Sequence, residues 1–224
     1  MLLYYITDRS QFPGDEDRRR ALLLERIAQA AAAGVDFIQL REKDLPARAL
    51  AQLAESALKS IETQGGSTKL LINSRLDVAL ATGAHGVHLT SADQTAEEVR
   101  VTASRAATGE RNLLVAVSCH SPGEVRLAAR QGADFAVLAP IFEKVLRPSS
   151  SGAAAKQTGI GCDALRQATE PAAGEQRIPV LALGGVNLSN AIACMKAGAA
   201  GIAGIRLFQE GNIEETVRRL RAIS

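Results

Sequence analysis

One junction recurs four times along the chain: an alanine-rich segment, a glycine, and then a short run dense in apolar residues. It reads AAGVDFIQL, ATGAHGVHL, RQGADFAVL and KAGAAGIAG, with the glycines at positions 34, 83, 132 and 198. Glycine ends a helix with little strain because it adopts the left-handed conformation that closes the last turn. Each junction therefore predicts a helix handing over to a strand. The first two intervals are 49 residues and the third is 66. A strand, a helix and two loops take about 25 residues, so each short interval holds two such units. With the strands in between, the set is LLYYIT, DFIQLR, KLLIN, GVHL, LLVAVS, FAVLAPI, PVLALGG and GIAGIRLF. These runs are nearly continuous in apolar residues, as parallel strands covered by helices require. Ser121 with Pro122 and Glu124, and Thr95 with Glu98, supply helix caps between them. Eight strands alternating with helices predict an α/β chain that is one domain over residues 1–224, a (β/α)8 TIM barrel. A doubly wound open sheet is the other arrangement of such units, but no G-x-G-x-x-G opens a first helix.

Composition narrows the class of function. The 224 residues suit one barrel, and 46% hydrophobic with 22% charged residues is globular usage. No apolar run reaches the roughly 18 residues that would cross a bilayer, and MLLYYITD meets Asp8 without a basic flank or cleavage site, so neither a membrane span nor a secretory signal is expected. The net charge of +2 and 3% aromatic residues argue against a nucleic-acid partner and leave small anions as ligands. Cys119, Cys162 and Cys194 are odd in number and lack CxxC spacing, which predicts reduced thiols and a cytoplasmic protein, with Cys119 a core residue. A homo-oligomer is compatible with all of this.

In a barrel the chemistry sits at the carboxyl ends of the strands. The polar residues there are Thr7 and Asp8; Gln39, Arg41 and Lys43; Asn73, Ser74 and Arg75; His88 and Asp93; Ser118 and His120; Gly184 and Gly185; and Arg206. Gln39, Arg41 and Lys43 alternate, so they point to one side of an extended chain, as an anion site at the barrel mouth would need. The ALGG and AGIR segments, with Gly184, Gly185 and Arg206, stand where phosphate-handling barrels bring backbone N–H groups close to oxyanions. Asp93 offers the hard oxygen that Mg²⁺ prefers. His88 reads equally as a satisfied core histidine or a site residue; His120, beside Ser118, is the stronger general acid or base. Residues 143–161 form a long Ser/Gly/Ala-rich loop with the character of a mobile lid. In RSQFPGDEDRRR, residues 9–20, the arginines read as a solvated helix start.

YYITD, QLREK, INSRLDVALATGAHGVHL, VSCHS, the API segment before a long loop, and ALGGVN followed by AGAAGIAG occur in fixed order over nearly the whole chain. Together they resemble thiamine-phosphate synthase and its TenI-like relatives. The resemblance implies a TIM barrel that joins hydroxymethylpyrimidine diphosphate to a thiazole phosphate, releasing pyrophosphate with Mg²⁺. It implies that Gln39, Arg41, Lys43 and Asn73 hold the pyrimidine diphosphate, that Asp93 is a magnesium carboxylate, that Ser118 lies near the pyrimidine, and that Gly185 belongs to the thiazole-phosphate loop. Lys43, Ser118 and His120 are then the candidate catalytic residues. The chain departs from the family pattern in three places. Ser74 replaces the aspartate of an IND motif; the lid motif PTxTK reads EKVLR, with Lys144 and Leu146 for the threonines and Arg147 for the lysine; and Arg206 replaces a serine. Three activities fit these residues: the synthase, a TenI-like thiazole tautomerase with His120 as proton carrier and no Mg²⁺, and a non-catalytic barrel binding thiazole or thiamine phosphate.

Overall fold

The computed structural model describes residues 1–106, 113–145, 156–170, 174 and 176–223. Its recurring junction is built as the glycines predict. Gly34, Gly83, Gly132 and Gly198 all have positive φ, between 77° and 88°. At three of them the next residue's N–H reaches back into the helix: Val35 to Ala30, Ala133 to Ala128 and Ala199 to Cys194, each at 3.0–3.1 Å. This satisfies a carbonyl that the helix end would otherwise orphan. The following polar residue then serves a neighbouring strand. Asp36 accepts from the Leu3 N–H at 2.7 Å, His85 from Leu70 at 3.1 Å and Asp134 from Val115 at 2.6 Å.

The elements in chain order are β1 (Leu2–Ile6), α1 (Glu16–Ala32), β2 (Phe37–Leu40), α2 (Ala47–Glu62), β3 (Lys69–Asn73), α3 (Leu76–Thr82), β4 (Gly86–Leu89), α4 (Ala96–Ala106), β5 (Leu114–Cys119), α5 (Pro122–Arg130) and β6 (Phe135–Leu138). A short antiparallel ribbon follows, β7 (Lys144–Val145) and β8 (Lys156–Gln157). The chain continues through α6 (Gly161–Thr169), β9 (Val180–Ala182), α7 (Ala191–Lys196), β10 (Gly201–Gly204), α8 (Arg206–Gln209) and α9 (Ile213–Arg221). Eight strands close in the order β1-β10-β9-β6-β5-β4-β3-β2, all pairs parallel. This is a (β/α)8 barrel in one domain. Both predicted caps form: Ser121 accepts from the Glu124 N–H, and Thr95 and Glu98 bond reciprocally.

Three of the seven aromatic residues fill the barrel interior. Phe37 and Phe135 stack with centroids 4.9 Å apart, and Tyr4 meets both edge-on at 5.9 and 5.6 Å. Leu71, Ala116, Leu181 and Ala203 complete this inner cluster, while Leu23, Ile27, Ile38, Leu53, Ile72 and Phe208 fill the layer between strands and helices. The inward set thus fills the lower barrel mostly with carbon and gathers most polar groups at the upper rim. The carboxyl-terminal helix is fastened to the start of the chain, for Arg221 donates to the Met1 and Gly34 carbonyls and to Asp36. Among the described residues no helix is long and apolar enough to cross a membrane.

Two expectations are corrected. The eighth strand ends at Gly204, and Arg206 opens α8 instead of closing the strand. Arg9 is not part of a solvated helix start. Its side chain is 6% exposed and donates to Glu16, Glu42 and Asp44 at 2.6–3.0 Å. A guanidinium has enough donors in a fixed fork to serve three carboxylates at once. Cys119 is buried in the core as expected, and burial pushes its thiol up to about 12.

Phe135→Ala removes a ring from the inner stack and should lower the unfolding free energy by about 3–5 kcal/mol. Urea denaturation followed by circular dichroism measures this; a loss within error of zero would show that the aromatic plug does not hold the barrel.

Candidate active site

Side chains alternate across a strand, so the residues above the aromatic plug on each strand face the same mouth. A cavity of about 680 Å³ opens there. Gln39, Arg41 and Lys43 line it from β2 and the loop beyond, Asn73 from β3, His88 and Thr90 from β4, and Ser118 and His120 from β5. Gly184 and Gly185 line it after β9, and Arg206 after β10. A second hollow of about 270 Å³ shares Lys43 and Asn73 with it and is bounded by Ser74 and Arg75.

The second-strand loop is set from beneath. Glu42 is buried, taking hydrogen bonds from the Thr7 hydroxyl at 2.6 Å and from the Arg9 backbone and guanidinium at 3.0–3.2 Å. Thr7 in turn accepts from the Arg41 N–H at 3.0 Å. Burial raises the Glu42 carboxyl against the lowering pull of Thr7 and Arg9. This ties the loop after β1 to the loop after β2, so half-buried Arg41 and exposed Lys43 leave a fixed base. Thr7 and Asp8 therefore support the site without lining it, and Asp8 caps the turn at residues 9–11.

A directed line of hydrogen bonds crosses the next strand ends. Gln39 Nε2 donates to Asn73 Oδ1 at 3.1 Å, Asn73 Nδ2 to Ser74 Oγ at 3.0 Å, and Ser74 Oγ to Asp93 Oδ2 at 2.7 Å. The Thr90 N–H and hydroxyl reach the same Asp93 oxygen at 2.6 and 2.8 Å. Ser74 has φ 59°, a left-handed conformation that Asp or Asn takes more readily than most residues. Asp93 does not line the main cavity; it stands behind Ser74. One oxygen of this carboxylate is saturated with donors, and no described residue bonds the other. Among the described residues, no three His, Cys, Asp or Glu side chains gather as a metal cluster. The donor set fits a magnesium ion held through one carboxylate and completed by ligand phosphates and water.

Across the ring from β3, the turn after β9 is open only to glycine. Gly184 and Gly185 have φ of 90° and 66°, and a Cβ on them would come within 2.7 Å of Pro140 and 2.6 Å of the Glu143 carbonyl. Exposed Arg206 stands beside this turn on the cavity wall. His120 presents Nδ1 to the Ala139 carbonyl at 2.8 Å, which places its proton there and turns Nε2 outward. His88 is a satisfied buried histidine, 2% exposed, between Tyr4 and Ser118. Burial, reinforced by Arg41 and opposed by Asp93, lowers its pKa from 6.5 to about 3. Arg147 and residues 146–155 of the predicted lid lie outside the described residues, while the ribbon β7–β8 joins the two flanks. Sequence reasoning did not find Thr90, Asn187 or Glu210 on the cavity wall, nor the Arg9–Glu42 support; their pattern in the sequence is that of ordinary loop residues.

A parallel barrel whose mouth gathers two cations, three amides, a glycine turn and a further arginine belongs to the class of phosphate-handling TIM-barrel enzymes. The chain belongs to the thiamine monophosphate synthase family, whose pattern it matches over residues 3–208. A Geobacter sulfurreducens relative, provisionally named as a thiamine-phosphate synthase, is 40% identical over 99% of this chain and 93% of its own length. The thiamine-phosphate synthase of Chloroflexus aurantiacus is 33% identical, covering 99% and 91%. Thiamine phosphate pyrophosphorylase from Pyrococcus furiosus superposes with a TM-score of 0.76 at 28% identity, covering 99% of this chain and 94% of that one.

His88 makes a pH prediction whose sign follows from its depressed value. As pH falls below about 6.5 the unfolded chain takes up a proton that the folded imidazole refuses down to about 3. The stability it contributes is complete above the upper value and lost as pH falls toward the lower one. Between about pH 6 and pH 4 the wild type should lose about 1.4 kcal/mol per pH unit more than His88→Gln. Parallel urea titrations at several pH values measure the difference, and equal slopes would refute the neutral buried imidazole.

Proposed function

We propose that this barrel joins hydroxymethylpyrimidine diphosphate to a thiazole phosphate and releases pyrophosphate. The observation that supports the reading is that Arg41, Lys43 and the Gly184–Gly185 turn line one cavity; we read them as two oxyanion sites within reach of each other. In the reaction the bond between the pyrimidine methylene carbon and the diphosphate oxygen breaks, the thiazole nitrogen's lone pair forms the new bond to that carbon, and pyrophosphate leaves with the electron pair. Arg41 and Lys43 neutralise the charge that grows on the leaving group, the largest service such a site can render. Gln39 and Asn73 orient the first substrate, with Ser118 against its ring. The glycine turn and Arg206 hold the phosphate of the second, aligning its nitrogen with the carbon. Asp93 would hold magnesium, which when bound would supply further charge neutralisation on the diphosphate. No protein nucleophile is needed, in keeping with Cys119 being a buried, protonated thiol. The same reading places the protein in the cytoplasm, where its three free cysteines stay reduced.

Purified protein supplied with pyrimidine diphosphate, thiazole phosphate and Mg²⁺ should release pyrophosphate, and silence with both substrates bound would overturn the reading. Lys43→Ala should lower kcat/KM roughly 10²-fold. Asp93→Asn should raise the Mg²⁺ concentration needed for half-maximal rate, and an unchanged requirement would remove Asp93 as the ligand. Ser74→Asp places a second carboxylate against Asp93 in a backbone conformation aspartate tolerates. It should lower Tm without the ion and give a larger Mg²⁺-dependent rise in Tm than the wild type, read by thermal denaturation with MgCl₂ alone; an unchanged rise would show that position 74 does not face the ion.

A further inference from the structure

Tyr4 and His88 have no part in the chemistry above, yet they form the only buried polar chain that runs from the barrel's interior to its mouth among the described residues. The Tyr4 ring is 0% exposed, wedged between Phe37 and Phe135. Its hydroxyl has one hydrogen-bond partner among the described residues, His88 Nδ1 at 3.0 Å. The other ring nitrogen, Nε2, stands 2.7 Å from Ser118 Oγ. Ser118 is half-buried and lines the cavity.

The donor and acceptor inventory assigns every proton in this chain. A buried phenol must give its proton to an acceptor, since an orphaned donor costs about 1–3 kcal/mol. Nδ1 is the acceptor within reach, so Nδ1 carries no proton. The imidazole proton is then on Nε2 and is donated to Ser118 Oγ. Ser118 therefore receives from His88 and has its own O–H left to give. In the opposite tautomer Nδ1–H donates to the Tyr4 oxygen and leaves the phenol proton with no acceptor among the described residues. An imidazolium does the same and adds a buried charge; the charged groups that reach the ring, Arg41 and Asp93, oppose one another.

We propose that Tyr4 and His88 are positioning residues that lock the Ser118 hydroxyl as a hydrogen-bond donor, so the cavity selects a ligand ring presenting an acceptor lone pair at that point. Resting on the synthase reading, the ring is the aminopyrimidine, and the acceptor is one of its ring nitrogens. A C–H or N–H in the same place leaves the serine proton without a partner, and binding discriminates against missing partners more strongly than against missing methylenes. The lock is built from groups that do not titrate near neutral pH, so the selection is constant across the working range.

The first test needs no substrate. In full-length protein labelled with ¹⁵N-histidine, the His88 resonances should report the neutral Nε2–H tautomer from about pH 5 to pH 9. An Nδ1–H tautomer or a protonated ring overturns the proposal. Tyr4→Phe should shift His88 toward a mixture of tautomers. The second test compares pyrimidine diphosphate with analogues in which each ring nitrogen in turn is replaced by C–H. The wild type should prefer the parent over one analogue roughly tenfold, expressed in KM with kcat little changed, as a net hydrogen bond of this kind allows. Ser118→Ala and Tyr4→Phe should reduce that preference to about twofold or less. His88→Gln, which keeps a donor toward Ser118, should restore part of it, and His88→Met should not. A preference that survives unchanged in Tyr4→Phe overturns the proposal. If Tyr4→Phe fails to fold, the wild-type tautomer and the His88→Gln and His88→Met pair still decide. Absence of pyrophosphate release with the Nε2–H signal intact would retire the synthase reading and leave the proton arrangement standing.

Discussion

Closure of the parallel ladder from β1 through β10 and round to β2 governs everything else in this molecule. A closed parallel sheet leaves no strand edge, and its tilt forces alternate side chains into a shrinking interior. Tyr4, Phe37 and Phe135 fill that interior with rings in stacked and edge-on contact, which sets a floor. Inward positions above the floor then face the mouth. The polar endings of the strands are converted by this constraint alone into one converging surface, although Gln39, Asn73, His88 and Ser118 are spread over eighty residues of chain.

Much of this was legible beforehand because the signals are local. The left-handed glycines and the Ser121 and Thr95 caps each rest on contacts within six residues, and each forms as expected. The alternation of Gln39, Arg41 and Lys43 is likewise a local property of extended chain, which is why these three reached the cavity as a set. What escaped depends on contacts between distant segments. Arg9 looked solvated because its partners Glu42 and Asp44 lie across a strand and a helix in sequence. The role of His88 was ambiguous because the deciding partner, Tyr4, is 84 positions away. Arg206 was placed at a strand end because an apolar run carries no mark of where pairing stops and a helical turn begins.

Two of the departures that the resemblance implies, at positions 74 and 206, fall on different sides of the mouth, with different physical consequences. At position 74 a hydroxyl stands where the resemblance implies a carboxylate; its backbone has a positive φ that aspartate tolerates, and its Oγ donates to Asp93. At position 206 a cation stands where the resemblance implies a serine, adding attraction beside a turn whose glycines leave its backbone open to a bound oxyanion. The net change is toward a more positive mouth. Electrostatic attraction of this kind hastens capture of anionic ligands more than it sharpens discrimination among them.

Arg221 fastens the last helix to Met1 and Gly34 at the amino face, the side of the barrel remote from the mouth. That face is therefore knitted across 220 positions of chain by one guanidinium, while the mouth is framed by loops between consecutive elements. Substitutions in those loops can reshape the mouth without loosening the clasp on the far side.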